Sequence, residues 1–158
     1  MTKKWTATKS LFLSRTLTVA SLVVAVASLF CIPIISEWYN SLSQKTELFV
    51  VMTIGLYLSD FLAITALWQL HKLLRNISAQ RVFVTENAVC FRLISWCCFG
   101  VAAVWLFLTF WQFLYMTFWR FVAFLIAFMA AFAGLIIRVI KNLLEAAVEL
   151  REENDYTI

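Results

Sequence analysis

Asp60 is the one ionisable side chain placed in the middle of a long apolar run, and few other residues in the chain could carry chemistry. It lies within Leu48 to Leu70, ten residues or ~15 Å of helix from the inner end of that run. An aspartate at this depth costs at least ~2.5–3.5 kcal/mol on insertion scales, so it is expected to face other helices and find a partner there. No Lys or Arg stands at matching depth; Arg92 belongs to the inner boundary of the third run. Desolvation without a cation disfavours the carboxylate, so Asp60 is expected to hold a proton. Candidate partners are Ser21, Ser28, Ser59, Tyr57 or a tryptophan N–H. A group so placed can act as glue between helices, as a step on a proton or solute path, or as a contact between copies.

The remaining reactive residue types form no constellation. Cys31, Cys90, Cys97 and Cys98 lie in or beside apolar runs, with no CxxC pair and no cysteine near the only histidine, His71. Neighbouring Cys97 and Cys98 point about 100° apart on a helix. They read as small buried hydrophobes, and His71 reads as a polar boundary residue. No nucleophile–base pair, metal ligand set or cofactor motif stands out, so neither an enzyme nor a cofactor nor direct nucleic-acid binding is expected.

The elements that must position Asp60 are plain. Of 158 residues, 63% are hydrophobic and 14% charged, against about 25% charged in soluble domains. Four apolar runs, about 17–35, 48–70, 93–115 and 121–137, each approach the ~20 residues that span a ~30 Å hydrocarbon core as helix. Their polarity does not alternate, which excludes a membrane barrel. The first run exceeds the apolar core of a signal peptide, no small-x-small site follows it, and Phe30 before Cys31 is too bulky for lipoprotein processing. It is expected to stay in the protein. The stretch Leu93 to Ile137 would be ~68 Å as one helix, so it must turn back near 115–120.

Charge gives the orientation. Eleven of thirteen basic residues fall in the N-terminal segment (Lys3, Lys4, Lys9, Arg15), the second connection (Lys72, Arg75, Arg81, Arg92) and the C-terminal segment (Arg138, Lys141, Arg151). Only Lys45 and Arg120 lie on the other face. The positive-inside rule then puts both termini in the cytoplasm of a cell membrane, with outer loops at Ser36 to Glu47 and Met116 to Trp119. Trp38, Tyr39, Trp111, Tyr115 and Trp119 suit an outer aromatic belt; Trp5, Trp68 and Trp96 suit an inner one.

Packing is also written in the sequence. Gly55, Ser59 and Ala63 recur at spacing four, as do Ala123, Ala127 and Ala131, with Ala130 and Gly134 alongside. Ser21 with Ala25, and Gly100 with Ala103, add further small faces. Such faces let helices approach closely in lipid, within one bundle or in a homo-oligomer. HKLLRNIS from His71 extends the second helix, Lys72 and Arg75 share a face suited to anionic headgroups, and Thr85 is a candidate N-cap for the third helix. The fourth helix is expected to run on as a cytoplasmic tail over about 138–153, with Val139, Leu143, Ala146 and Leu150 on one stripe. Lys141 and Glu145 form a favourable i,i+4 pair, and five acids against three bases make this end acidic. The expected fold is an all-α integral membrane protein: one membrane domain over 1–158, a four-helix transmembrane bundle, N-in and C-in, with the fourth helix extended into the cytoplasm.

Two segments carry a likeness. RVFVTENAVCFRLISW, from Arg81 to Trp96, and ELREENDYTI, from Glu149 to Ile158, resemble the middle connection and C-terminal signature of a YoaS-like family of bacterial membrane proteins, a domain of unknown function (2975). The order of spans, basic connection and acidic tail is similar over nearly the whole chain. The sharpest positions are Phe83, Thr85, Glu86, Asn87, Glu149, Glu152, Glu153, Asn154, Asp155, Thr157 and Ile158. The family usually has Gly or Lys where Ala79 and Gln80 stand, and Leu where Tyr156 stands. The resemblance implies no catalytic residue. It implies a setting, because such proteins are often encoded beside a small helix-turn-helix regulator of the Cro/CI type. A membrane anchor or modulator of that regulator, with those positions as docking surface, is the expected role. A small transporter or channel subunit using Asp60 is the alternative.

Overall fold

Lipid offers no hydrogen bonds, so a chain this apolar must satisfy its backbone within each segment, and helices do so. The computed structural model describes residues 2–43, 46–79, 84–114 and 120–155, with side chains at 9–41, 49–79, 84–114, 120–150 and 153. Apart from Ala79 and Val84, every described residue is helical. The helices are α1 (Thr2–Ser43), α2 (Thr46–Ser78), α3 (Thr85–Leu114) and α4 (Arg120–Asp155), and all four are long and apolar enough to cross a membrane.

The helices outrun the apolar runs that define them. The expected loop from Ser36 to Glu47 is helical up to Ser43 and again from Thr46. No Gly stands between 36 and 47, and the only Pro, Pro33, is accommodated inside α1. Thr85 is the first residue of α3, and the amide of Asn87 bonds to the Val84 carbonyl at 2.9 Å, so the helix starts without the threonine as its cap. The expected turn at Met116 to Trp119 lies outside the described residues.

Consecutive helices are antiparallel, as their cross-contacts run in opposite order: Asn76 meets Asn87, Leu62 meets Gly100, Gly55 meets Leu108 and Met52 meets Gln112. The start of α1 and the end of α4 therefore lie at the end of the bundle where α2 ends and α3 begins. Among the described residues only consecutive helices bring their Cα atoms within 8 Å, so α1 and α4 make no close backbone approach.

Glycines set the close approaches. A Cβ on Gly55 would lie 2.8 Å from a methyl of Leu108, and one on Gly100 would lie 3.0 Å from a methyl of Leu62. Thus α2 and α3 each offer a glycine to the other's leucine. Ala123 and Ala127 of α4 are both 1% exposed, and a Cβ on Gly134 would meet Cys98 and Phe99 of α3 at 3.2 Å. Tyr39, expected in the outer belt, is instead buried with Met52 and Leu108 and ringed by Val51, Val104, Trp105 and Trp111, because α1 continues past the expected loop start. Trp38, Trp68 and Trp96 are exposed, as anchors should be.

Candidate functional site

Asp60 is half-buried between α1 and α2 and meets one of its expected partners, Ser28, whose Oγ lies 3.0 Å from both carboxyl oxygens. The same Oγ lies 2.6 Å from the Ala25 carbonyl. A hydroxyl has one proton to give. When it goes to Ala25, the contact to Asp60 is a hydrogen bond only if the acid carries a proton and donates it to Ser28. Pro33 adds to this patch: it has no N–H for the Leu29 carbonyl four residues back, and the Tyr57 hydroxyl points at that oxygen in a long 3.5 Å contact. Ser59 Oγ is buried here with no hydrogen-bond partner among the described residues. The groove beside Asp60 is about 290 Å³ and is otherwise walled by Ile32, Ile35, Leu56, Ala63 and Val101.

The docking positions divide. Asn87 is 1% exposed and accepts a 2.9 Å hydrogen bond from the Asn76 side chain, so it locks the end of α2 to the start of α3. Thr85 and Glu86 are exposed on the first turn of α3. Glu149 and Glu153 are exposed on α4. Phe83, Thr157 and Ile158, and the side chains of Glu152, Asn154 and Asp155, lie outside the described residues.

The expected Lys141–Glu145 pair forms, and it belongs to a larger cluster that α3 completes. Glu145 of α4 takes Lys141 at 2.8 Å and Arg92 of α3 at 3.3 Å. The hydrogen bond from Lys141 outweighs desolvation and, with the Lys141 charge and then Arg92 adding to it, holds the Glu145 carboxyl below its ordinary range. One turn back, the Arg138 guanidinium lies 5.8 Å from the centre of the Trp96 ring, within cation–π range. Ser95 donates to the Gly134 carbonyl at 2.9 Å, tying α3 to α4 beneath. Arg92, Ser95, Trp96, Arg138 and Lys141 enclose a polar cavity of about 260 Å³. At the far end, a mostly apolar cavity of about 160 Å³ is lined from all four helices, with Ser36, Tyr39 and Gln112 among its walls. Gln112 donates to the Met52 sulfur at 3.2 Å, while Ser36 Oγ and Tyr39 OH have no partner among the described residues. The four cysteines are free thiols, and among the described residues no three His, Cys, Asp or Glu side chains gather where they could hold a metal.

No curated protein and no solved structure matches the chain. One family does, over residues 34–158, a span that holds Asp60 but not its partner Ser28, together with the α2–α3 connection, the Glu145 cluster and the acidic end of α4. By that match the chain belongs to the family described as "Protein of unknown function (DUF2975)".

Proposed function

We propose that the chain is a multi-pass protein of the bacterial cytoplasmic membrane, with both termini inside, whose α4 end docks a small basic cytoplasmic partner. The helix-turn-helix regulator implied by the family resemblance is the partner of choice. The orientation rests on the bias of basic residues toward the end that carries both termini and the α2–α3 connection. The docking role rests on α4, which continues as one helix to Asp155. Beyond Arg138 it exposes Val139, Leu143 and Leu150 (58%, 66% and 64%) on one stripe, with Glu149 and Glu153 exposed nearby. An apolar stripe in water favours being covered, and its acidic surround is complementary to a basic DNA-binding domain.

The test is co-purification of the regulator encoded beside the gene with the full-length chain, in cells where a C-terminal reporter fixes the side of the membrane. Leu143→Asp with Leu150→Asp, and separately Glu149→Lys with Glu153→Lys, are expected to lose most of the retained regulator. Equal retention by both variants, or a C terminus outside, overturns the role. A second reading, a small transporter or channel subunit, draws its support from the groove beside Asp60. It would require the carboxyl to exchange protons, a requirement that Asp60→Asn addresses directly.

A further inference from the structure

We propose that the cavity between α3 and α4 bounded by Arg92, Trp96, Arg138 and Lys141 binds the phosphodiester headgroup of an anionic phospholipid. Three cations line it, and the one carboxylate in contact with them among the described residues, Glu145, is already shared by Arg92 and Lys141. Among the described residues the cluster is therefore left with more positive than negative charge. Arg138 has no carboxylate within ion-pair distance among the described residues; its guanidinium lies 5.8 Å from the centre of the Trp96 ring, within cation–π range. That contact takes up none of its N–H donors, whose planar fork matches phosphate oxygens.

Depth selects the source of the phosphate. Arg138 directly follows the apolar run that ends at Ile137, and Trp96 is 60% exposed on the facing helix, where an interfacial anchor belongs. Arg92 and Lys141 lie about one turn farther out, ~5–6 Å along their helices. The cations thus form two tiers at the hydrocarbon edge, spaced to hold a headgroup from below and above. Leu135, one turn inward of Arg138 on α4, is exposed and offers an apolar surface for the acyl chains. A phosphate free in water would need none of this apolar margin. The site does not depend on the docking role of α4, since a lipid reaches it from within the leaflet.

The experiment is native mass spectrometry of the full chain in detergent, titrated with phosphatidylglycerol, phosphatidylcholine or inorganic phosphate. Phosphatidylglycerol is expected to bind about tenfold more tightly than phosphatidylcholine, as two or three cations near a headgroup imply. Arg138→Gln with Lys141→Gln is expected to abolish that preference, and Arg15→Gln, a basic change at an exposed position of α1 outside the cavity, to preserve it. Equal binding of the two lipids by the wild-type chain overturns the proposal without recourse to any variant. So does an unchanged preference in the double variant, or an equal loss in Arg15→Gln, which would reveal only diffuse charge. Displacement of phosphatidylglycerol by millimolar inorganic phosphate would reassign the cavity to a soluble phosphate and overturn the lipid assignment.

Discussion

The α1–α2 and α3–α4 interfaces solve the same problem, two apolar helices in lipid, by opposite means. Across α3–α4 the backbones come close: Ala123 and Ala127 are almost wholly buried, Gly134 sits against Cys98 and Phe99, and Ser95 reaches the Gly134 carbonyl. Across α1–α2 the polar contact is between side chains, Ser28 with Asp60, and a groove stays open beside it. Small residues produce dense packing only where nothing larger is inserted between them. Ser59 and Ala63 border the groove, whereas Ala127 and Gly134 are packed and only Ala123, at the far end, borders a cavity. A dense interface suits a fixed platform for the charged cluster above it. An open one leaves room for a carboxyl to change partner.

The largest expected effect comes from forcing volume into the dense side. Gly134→Leu would push side-chain atoms beyond a Cβ that already lies 3.2 Å from Cys98 and Phe99, with both helices resisting. The expected cost is about 3 kcal/mol, read as a lowered unfolding midpoint in detergent. Ser59→Leu, beside the open groove, is expected to cost much less. Equal losses at the two positions would erase the distinction between the interfaces.

Asp60 should respond more mildly. Asp60→Asn keeps a group that can donate to Ser28 and is expected to leave stability unchanged, while Asp60→Leu should shift it by only ~0.6 kcal/mol, the average for hydrogen bonds between membrane helices. A proton flux in liposomes that disappears in Asp60→Asn would move the open side from structure to transport. Unchanged stability in both variants together with no flux in the wild-type chain would leave the carboxyl as a minor contact.

The spans were legible because hydrophobic run length is a property of single segments, and Ser28 stood among the foreseen partners of Asp60 because depth narrows the choice. What escaped depended on register between segments. The bond from Asn76 to Asn87 depends on how α2 is set against α3, which neither segment shows alone. Trp96 and Arg138 meet only through the antiparallel fit of α3 on α4. Helix ends were misjudged where composition carries no stop. Nothing in 36–43 breaks a helix, so α1 continues and takes Tyr39 from the lipid surface into the core.

The smallest effect tests whether the ion cluster belongs to the dense side or merely decorates it. Its partners hold the Glu145 carboxyl below the ordinary glutamate value of 4.5, so its contribution to stability is complete above that value and is lost as pH falls through the lowered one. The carboxyl is well exposed, so solvent and salt keep the loss slight. Between about pH 6 and about pH 3 the wild-type midpoint should fall slightly more than that of Glu145→Gln, which has already lost the charge. Protonation also strips the one anion from among Arg92 and Lys141, leaving both free for phosphate. Acid should therefore loosen the tie between α3 and α4 while strengthening phosphatidylglycerol binding, and Glu145→Gln should bind that lipid more tightly than wild type at neutral pH. If stability and lipid affinity instead fall together, Glu145 positions its cations for the headgroup instead of competing with it, and the cluster functions as one unit with the packed helices beneath.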